Sequence, residues 1–308
     1  MSDTRINLQN TPTPQGVIVE PVTFPSNGVD LQGTLFKPAN AAQPLPGVVV
    51  AGAWTTVKEQ MAGTYARELA ARGLIALAFD FTGWGESGGT RRYVEDPVVK
   101  TADIHAAASY LAGRDDVRAD ALTGLGVCAS SGYMAEVVTD GDNLAKLALV
   151  APWLHDAEMA TVIYGGPDAA AGLIAASEAE AGSDAPTVLT AASTSDDTAP
   201  MYQAPYYTEE DRGLIKEYDN QFSVLSWKPW LTYDGQASAD RLSKPMLMVG
   251  SSGMALPAGA EAYERRTKAS VERVWFGEDV NQFDFYDRAD IVSAAADAVT
   301  NFVKGSEA

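Results

Sequence analysis

From Gly47 onward the chain alternates short, dense apolar runs with longer amphipathic stretches. Gly47-Val-Val-Val-Ala-Gly-Ala53 predicts a buried strand, and residues 58–72 a helix. Residues 74–80 then read as a strand, 101–113 as a helix and 121–128 as a strand that runs straight into a helix over 129–138, followed by a strand at 147–152. Such alternation predicts an α/β fold with a mostly parallel sheet covered by helices on both faces. Upstream, residues 17–36 alternate apolar and polar positions around Ser26-Asn-Gly28, a strong hairpin signal. The regular pattern lapses after His155. Residues 157–237 are rich in Ala, Ser, Asp, Tyr and Gly, with Tyr202, Tyr206, Tyr207, Phe222, Trp227 and Trp230 in their second half. The sheet pattern returns with residues 245–250 and 271–276, and a last helix spans 291–303. The expected division is therefore a core of residues 1–156 and 238–308, interrupted by an insertion at 157–237. An aromatic insertion between two late strands is placed to roof a pocket at the strands' C-terminal edge, as a cap or lid. A dimerisation arm or a plain helical excursion would give the same pattern.

Composition narrows the function classes. The 308 residues suit one large domain with an insertion, long enough to bury a core without staples. One cysteine excludes an internal disulfide framework and a Cys-rich metal site. The net charge of −19 repels nucleic acid and anionic membrane surfaces. No basic, apolar leader precedes residue 20, and the longest dense apolar runs, 47–54 and 147–154, are too short to span a bilayer. A cytoplasmic protein acting on a small molecule is expected, without metal, cofactor, nucleic acid or membrane partner; a homodimer is compatible with all of this.

The candidate chemistry centres on Gly126-Val-Cys-Ala-Ser130. A strand ending in Gly-x-nucleophile-x-small and turning at once into a helix is a nucleophile elbow, with Cys128 in the nucleophile's seat. A lone cysteine is more often a small buried hydrophobe, but Gly126, Ala129, Ser130 and Gly132 supply the small neighbours a tight elbow needs. A thiol at a helix start is expected to have its thiolate stabilised by the helix dipole. The N–H of Ala129 would then face a developing oxyanion, and a second donor should come from the loop Gly52-Ala-Trp-Thr-Thr56, with Trp54 the candidate.

In these segments the chain resembles the dienelactone hydrolase-like branch of the α/β-hydrolases, close to the bacterial YcjY-type proteins. The resemblance is carried by Val57-Lys-Glu-Gln60, Phe79-Asp-Phe-Thr-Gly-Trp-Gly-Glu-Ser-Gly-Gly89, Gly124-Leu-Gly-Val-Cys-Ala-Ser130, Ala151-Pro-Trp-Leu-His-Asp156, Gln221-Phe-Ser-Val-Leu-Ser-Trp227 and Phe283-Asp-Phe-Tyr-Asp287. It implies an α/β-hydrolase with a Cys or Ser nucleophile, acting on an ester, thioester or lactone. It also implies that Glu59, beyond the oxyanion loop, activates the thiol, although an acidic residue there can equally start a helix. The departures from that family are two. Its histidine directly precedes Phe-Asp-Phe-Tyr-Asp, and here that position is Gln282. Its acid follows the strand at 246–249, and Gly250-Ser-Ser-Gly-Met-Ala255 holds no carboxylate. Glutamine can position a thiol or water but cannot accept and return a proton near neutral pH.

Further candidates for lining the pocket are Thr55, Tyr133, Trp153, His155 and Trp227, with Arg91 a possible clamp for a substrate carboxylate. Of the two histidines, His105 lies mid-helix and reads as a surface residue; His155 reads as a structural residue or a substitute base. Residues 83–89 lack the Gly-Lys-Ser/Thr of a phosphate loop. Two chemistries stay open: acyl hydrolysis through Cys128, and a cyclase, isomerase or lyase step in which the pocket only polarises a carbonyl. A binding protein on the same scaffold is the third possibility. The aromatic insertion points to an apolar or ring-bearing ligand.

Overall fold

A computed structural model describes residues 4–305; the ends of the expected core, 1–3 and 306–308, lie outside them. The chain opens with β1 (Val17–Ser26) and β2 (Val29–Pro38), an antiparallel hairpin. Asn27 (φ 47°) and Gly28 (φ 81°) both take left-handed backbone at its tip, as a tight hairpin turn matched to strand twist requires. Then come β3 (Leu45–Ala51), α1 (Met61–Ala71), β4 (Ile75–Phe79), α2 (Pro97–Ala112), β5 (Val117–Val127), α3 (Ser130–Asp140) and β6 (Lys146–Val150). Next are α4 (Ala157–Ile163), α5 (Pro167–Ala179), β7 (Val188–Thr190), β8 (Ala192–Ser193), β9 (Met201–Tyr202), α6 (Pro205–Thr208), β10 (Gln221–Ser223) and α7 (Trp227–Leu231). The chain closes with β11 (Met246–Gly253), α8 (Pro257–Arg266), β12 (Val271–Asn281), α9 (Asp284–Asp287) and α10 (Ala289–Lys304).

Eight strands form one sheet in the order β1-β2-β4-β3-β5-β6-β11-β12. It is parallel from β4 to β12, and only β2 of the N-terminal hairpin runs against it. The central strands read as continuous apolar runs because both faces are covered: Val48, Val49, Val50, Leu125, Val127, Leu147 and Leu149 are fully buried. Helix α1 packs beside α10, and α2 beside α3. The segment between β6 and β11 adds nothing to this sheet; its strands make two small pairs, β10 with β7 and β8 with β9. No helix among the described residues is long and apolar enough to cross a membrane.

Of the boundaries that differ from the sequence expectation, three have a clear local reason. Helix α2 starts at Pro97 instead of 101, because Asp96 accepts hydrogen bonds from the N–H groups of Val98 and Val99 and Pro97 takes the first helical position. Helix α1 starts at Met61 instead of 58, since Gln60 Oε1 ties back to Val57 N–H and holds residues 57–60 in a turn. Strand β12 runs on to Asn281, past 276, as an edge strand whose exposed Gly277, Glu278 and Asp279 hide its periodicity.

Candidate active site

Cys128 sits between β5 and α3 with φ 56°, left-handed backbone that is strained for a residue with a β-carbon. The neighbouring strand holds it there. Cys128 N–H donates to Val150 O at 3.1 Å, and Cys128 O accepts from the N–H groups of Ser131 and Trp153, each at 3.0 Å. Gly126 is required in this turn: a β-carbon on it would stand 2.9 Å from both Ser130 O and Ser131 Cα. The Ser130 hydroxyl donates to Gly52 O and so ties the start of α3 to the loop after β3.

That loop carries Trp54. The backbone N–H groups of Trp54 and Ala129 and the Tyr286 hydroxyl lie close enough to the Cys128 sulfur to pull its pKa down. Two N–H groups meeting at one point is the geometry that stabilises an oxyanion. The loop is braced from behind by Glu95, which is fully buried. Its carboxylate accepts from Lys100 Nζ at 2.8 Å, from Tyr133 Oη at 2.9 Å and from Thr55 N–H at 3.4 Å. Thr55 itself has φ 63° and pairs its hydroxyl with Tyr218 Oη at 3.0 Å.

Cys128 opens into a cavity of about 310 Å³. Trp54, Ala129, Trp153, Ala255, Gln282, Phe283 and Tyr286 line it from the sheet side; Ile163, Tyr164, Pro200, Met201, Ala204, Tyr207 and Trp230 line it from the segment 157–237. No Asp, Glu, Lys, Arg or His is among them. Trp54 stacks into Phe222 and Trp230, with ring centroids 4.8 and 5.2 Å away. In so apolar a setting burial dominates the thiol. It pushes Cys128 up to about 11, against the downward pull of Tyr286 and of the Ala129 and Trp54 N–H groups. Burial therefore opposes the thiolate that the helix start is expected to favour.

Gln282 is fixed at every polar atom. Its Oε1 accepts from Ala255 N–H at 3.0 Å, and its Nε2 donates to Ala151 O at 2.9 Å and to Tyr286 Oη at 3.0 Å. The short helix α9 that carries Tyr286 is itself clamped: Arg212 pairs with Asp287, Arg5 with both Asp284 (3.1 Å) and Asp287 (2.9 Å), and Tyr65 Oη donates to Phe285 O at 2.8 Å.

Of the residues singled out from sequence, Cys128, Ala129, Trp54, Gln282 and Trp153 face the cavity. Tyr207 and Trp230 of the aromatic insertion face it too, whereas Glu59, Arg91, Thr55, Tyr133, Trp227 and His155 do not line it. Glu59 pairs its carboxylate with Lys58 Nζ at 2.7 Å, within a cluster that includes Asp80 and Glu86, so a role in activating Cys128 is not carried forward. Arg91 donates to Ala181 O at 3.0 Å outside the cavity and clamps nothing within it. Thr55 and Tyr133 belong to the Glu95 support, and Trp227 packs behind Trp54 against Phe222. His155 Nδ1 accepts from Trp153 Nε1 at 3.0 Å, which leaves its Nε2–H to donate to Trp230 O at 2.9 Å. Burial lowers its pKa, and with both nitrogens engaged it is a neutral brace for two wall tryptophans, not a base. His105, expected at the surface, is half-buried on α2 against Gly141. Sequence reasoning missed Glu95 and Tyr286. Nothing local marks Glu95; the spacing of Gln282 and Tyr286, four residues apart, is a signal that places both on one face of a helical turn.

No family model matches the chain. It is 27% identical over 260 residues to the uncharacterised protein YcjY of Escherichia coli, covering 80% of this chain and 84% of that one. To the uncharacterised protein PA2218 of Pseudomonas aeruginosa it is 36% identical over 119 residues, 38% of this chain and 32% of that one. The crystal structure of PA2218 superposes with a TM-score of 0.81 at 21% identity over 96% of this chain and 95% of that one. The α/β-hydrolase GrgF of Penicillium sp. sh18 follows with a TM-score of 0.74 at 16% identity over 93% of this chain and 98% of that one. An acetyl xylan esterase of Paenibacillus sp. R4 gives 0.60 at 16% identity over 97% of this chain and 87% of that one. With the eight-stranded, mostly parallel sheet, these likenesses establish the α/β-hydrolase fold.

Proposed function

We propose that the chain is an acyl-processing enzyme in which Cys128 takes up the acyl group of a neutral, apolar or ring-bearing ester, thioester or lactone. The observation that carries this reading is the sulfur itself: it stands in a strained elbow, at the point where the N–H groups of Trp54 and Ala129 converge, facing an apolar cavity. A carbonyl oxygen taking the sulfur's place between those N–H groups would gain charge as the thiol adds to its carbon, and fixed donors favour that charge. Residues 157–237 act as the cap, supplying half of the cavity wall and keeping water out. Gln282 takes the place of the catalytic histidine of the dienelactone hydrolase-like proteins, and the Ala255 N–H that fixes it takes the place of the acid. The charge-free walls favour neutral acyl groups over the carboxylate-bearing lactones typical of that branch.

With no base facing the sulfur, water attack on the acyl-cysteine is slow, because that step needs a general base. A p-nitrophenyl ester should therefore give a burst of one equivalent of nitrophenolate followed by a slow steady state. The Gln282→His variant should raise the steady state by about 100-fold, the lower range of general-base catalysis. Absence of a burst, with Cys128 unmodified, would overturn the covalent reading. It would favour the second one, a cyclase, isomerase or lyase step in which the Trp54 and Ala129 N–H groups polarise a carbonyl and no bond to sulfur forms. The burial of the thiol in a cavity wall without a base is the observation that speaks for it.

A further inference from the structure

We propose that Tyr286, oriented by Gln282, carries the proton between Cys128 and the leaving group, a part that a histidine plays in a Cys-His enzyme. The inference rests on the acyl-transfer reading and concerns its proton path. A phenolic oxygen has one hydrogen and two lone pairs. Gln282 Nε2 donates into one lone pair at 3.0 Å, and its other hydrogen is engaged by Ala151 O at 2.9 Å. Because Gln282 Oε1 already accepts from Ala255 N–H, the amide is held in this orientation and acts on Tyr286 only as a donor. One lone pair and the O–H of Tyr286 are left, and Tyr286 shares the cavity wall with Cys128, near enough to pull on its thiol. That is one position to receive a proton and one to deliver it.

Two other tyrosines of the cavity wall make contacts of their own, while the Trp54 indole N–H has no partner. Tyr164 Oη accepts from Trp230 Nε1 at 2.8 Å, and Tyr207 Oη donates to Trp54 O at 3.4 Å. In the step, Cys128 Sγ bonds to the carbonyl carbon as the bond from that carbon to the leaving atom breaks. The thiol proton passes to Tyr286 Oη, and the Tyr286 hydroxyl proton passes to the leaving atom, which departs neutral. Tyr286 ends as the phenol it began as, and the sulfur as a thioester. Run backwards with an alcohol or amine, the same exchange returns the proton to sulfur and releases the acyl group. Burial holds the Tyr286 phenol protonated far above its ordinary range, so that it acts by exchanging protons in concert and not as a standing phenolate.

The test uses two esters with the same acyl group, followed as mass adducts on the single cysteine. A p-nitrophenyl ester releases a stable anion and needs no proton; an alkyl ester needs one. The quantity read is the ratio of the alkyl rate to the p-nitrophenyl rate. Tyr286→Phe should lower that ratio by about 100-fold, as loss of a general acid does. Gln282→Leu, which frees the phenol to turn away, should lower it in the same direction by less. Circular dichroism checks that each variant folds, and if Phe at 286 does not, the Leu variant decides. A ratio unchanged in the folded variants overturns the shuttle while leaving acylation of Cys128 intact. Failure of both esters to acylate the wild-type chain overturns the acyl-transfer reading and the shuttle with it.

Discussion

At Cys128 two local effects oppose each other, and their balance sets what the residue can do. Two N–H groups and a phenol pull the thiol pKa down, yet exclusion from water keeps the thiol protonated until about pH 11. At pH 8 only about a thousandth of it is thiolate. Alkylation by iodoacetamide should accordingly rise about tenfold per pH unit from 7 to 10, without the plateau near neutrality that a histidine-paired cysteine shows. The same shift has a stability consequence. The folded-state pKa lies above the unfolded value, so this contribution is fully present below the unfolded pKa and is lost as pH rises through the folded one. Wild-type stability measured by urea unfolding should fall by about 2–3 kcal/mol relative to Cys128→Ala between pH 9 and 11, given about 1.4 kcal/mol per pH unit. Equal pH profiles for the two proteins would mean that the thiol is not desolvated.

Single elements show what the sequence made legible. The Asn-Gly hairpin, the alternating apolar runs and the elbow are local signals, each written within a dozen residues, and β1 to β6 appear where those signals put them. Cys128, Ala129, Trp54 and Gln282 were legible for the same reason, as positions within motifs. Glu95 and Tyr286 were not, because their roles come from partners distant in the chain or from a fold-dependent contact: Glu95 meets Tyr133 and Thr55 only once α3 and the loop after β3 are in place. Glu59 misled for the opposite reason, since its spacing fits a motif while Lys58, Asp80 and Glu86 draw it away from the cavity. The element that most depends on such a hidden residue is the loop carrying Trp54. Glu95 and Lys100 are an ion pair with side chains almost wholly out of water. Glu95→Gln leaves the Lys100 ammonium without its counter-charge and should cost about 3 kcal/mol in urea unfolding. Changing both residues to apolar ones should recover part of that loss, whereas equal losses in the single and double variants would contradict a role for the pair itself.

On the scale of the whole molecule, charge and cavity select in the same direction. The chain carries a net charge of −19, and the cavity wall carries no ionisable acid or base other than the thiol and buried tyrosines. An acyl group ending in a carboxylate would meet repulsion outside and an unpaired, desolvated charge inside. With a common leaving group, benzoyl and hexanoyl esters should acylate the chain at least about 100-fold faster than succinyl esters, the equivalent of roughly 3 kcal/mol against burying the charge. The insertion supplies about half of a cavity wall without charged side chains, and its fold of short strands and helices could not be read from periodicity. The account as a whole stands on a bond between substrate and sulfur. The direct measurement is the intact mass of the protein, at intervals after mixing with p-nitrophenyl benzoate, with peptide mapping of the modified site. The account predicts one benzoyl group on Cys128, formed faster than it is lost and absent from Cys128→Ala. An unmodified protein at every interval, with nitrophenolate released at the same rate by wild type and Cys128→Ala, would contradict it.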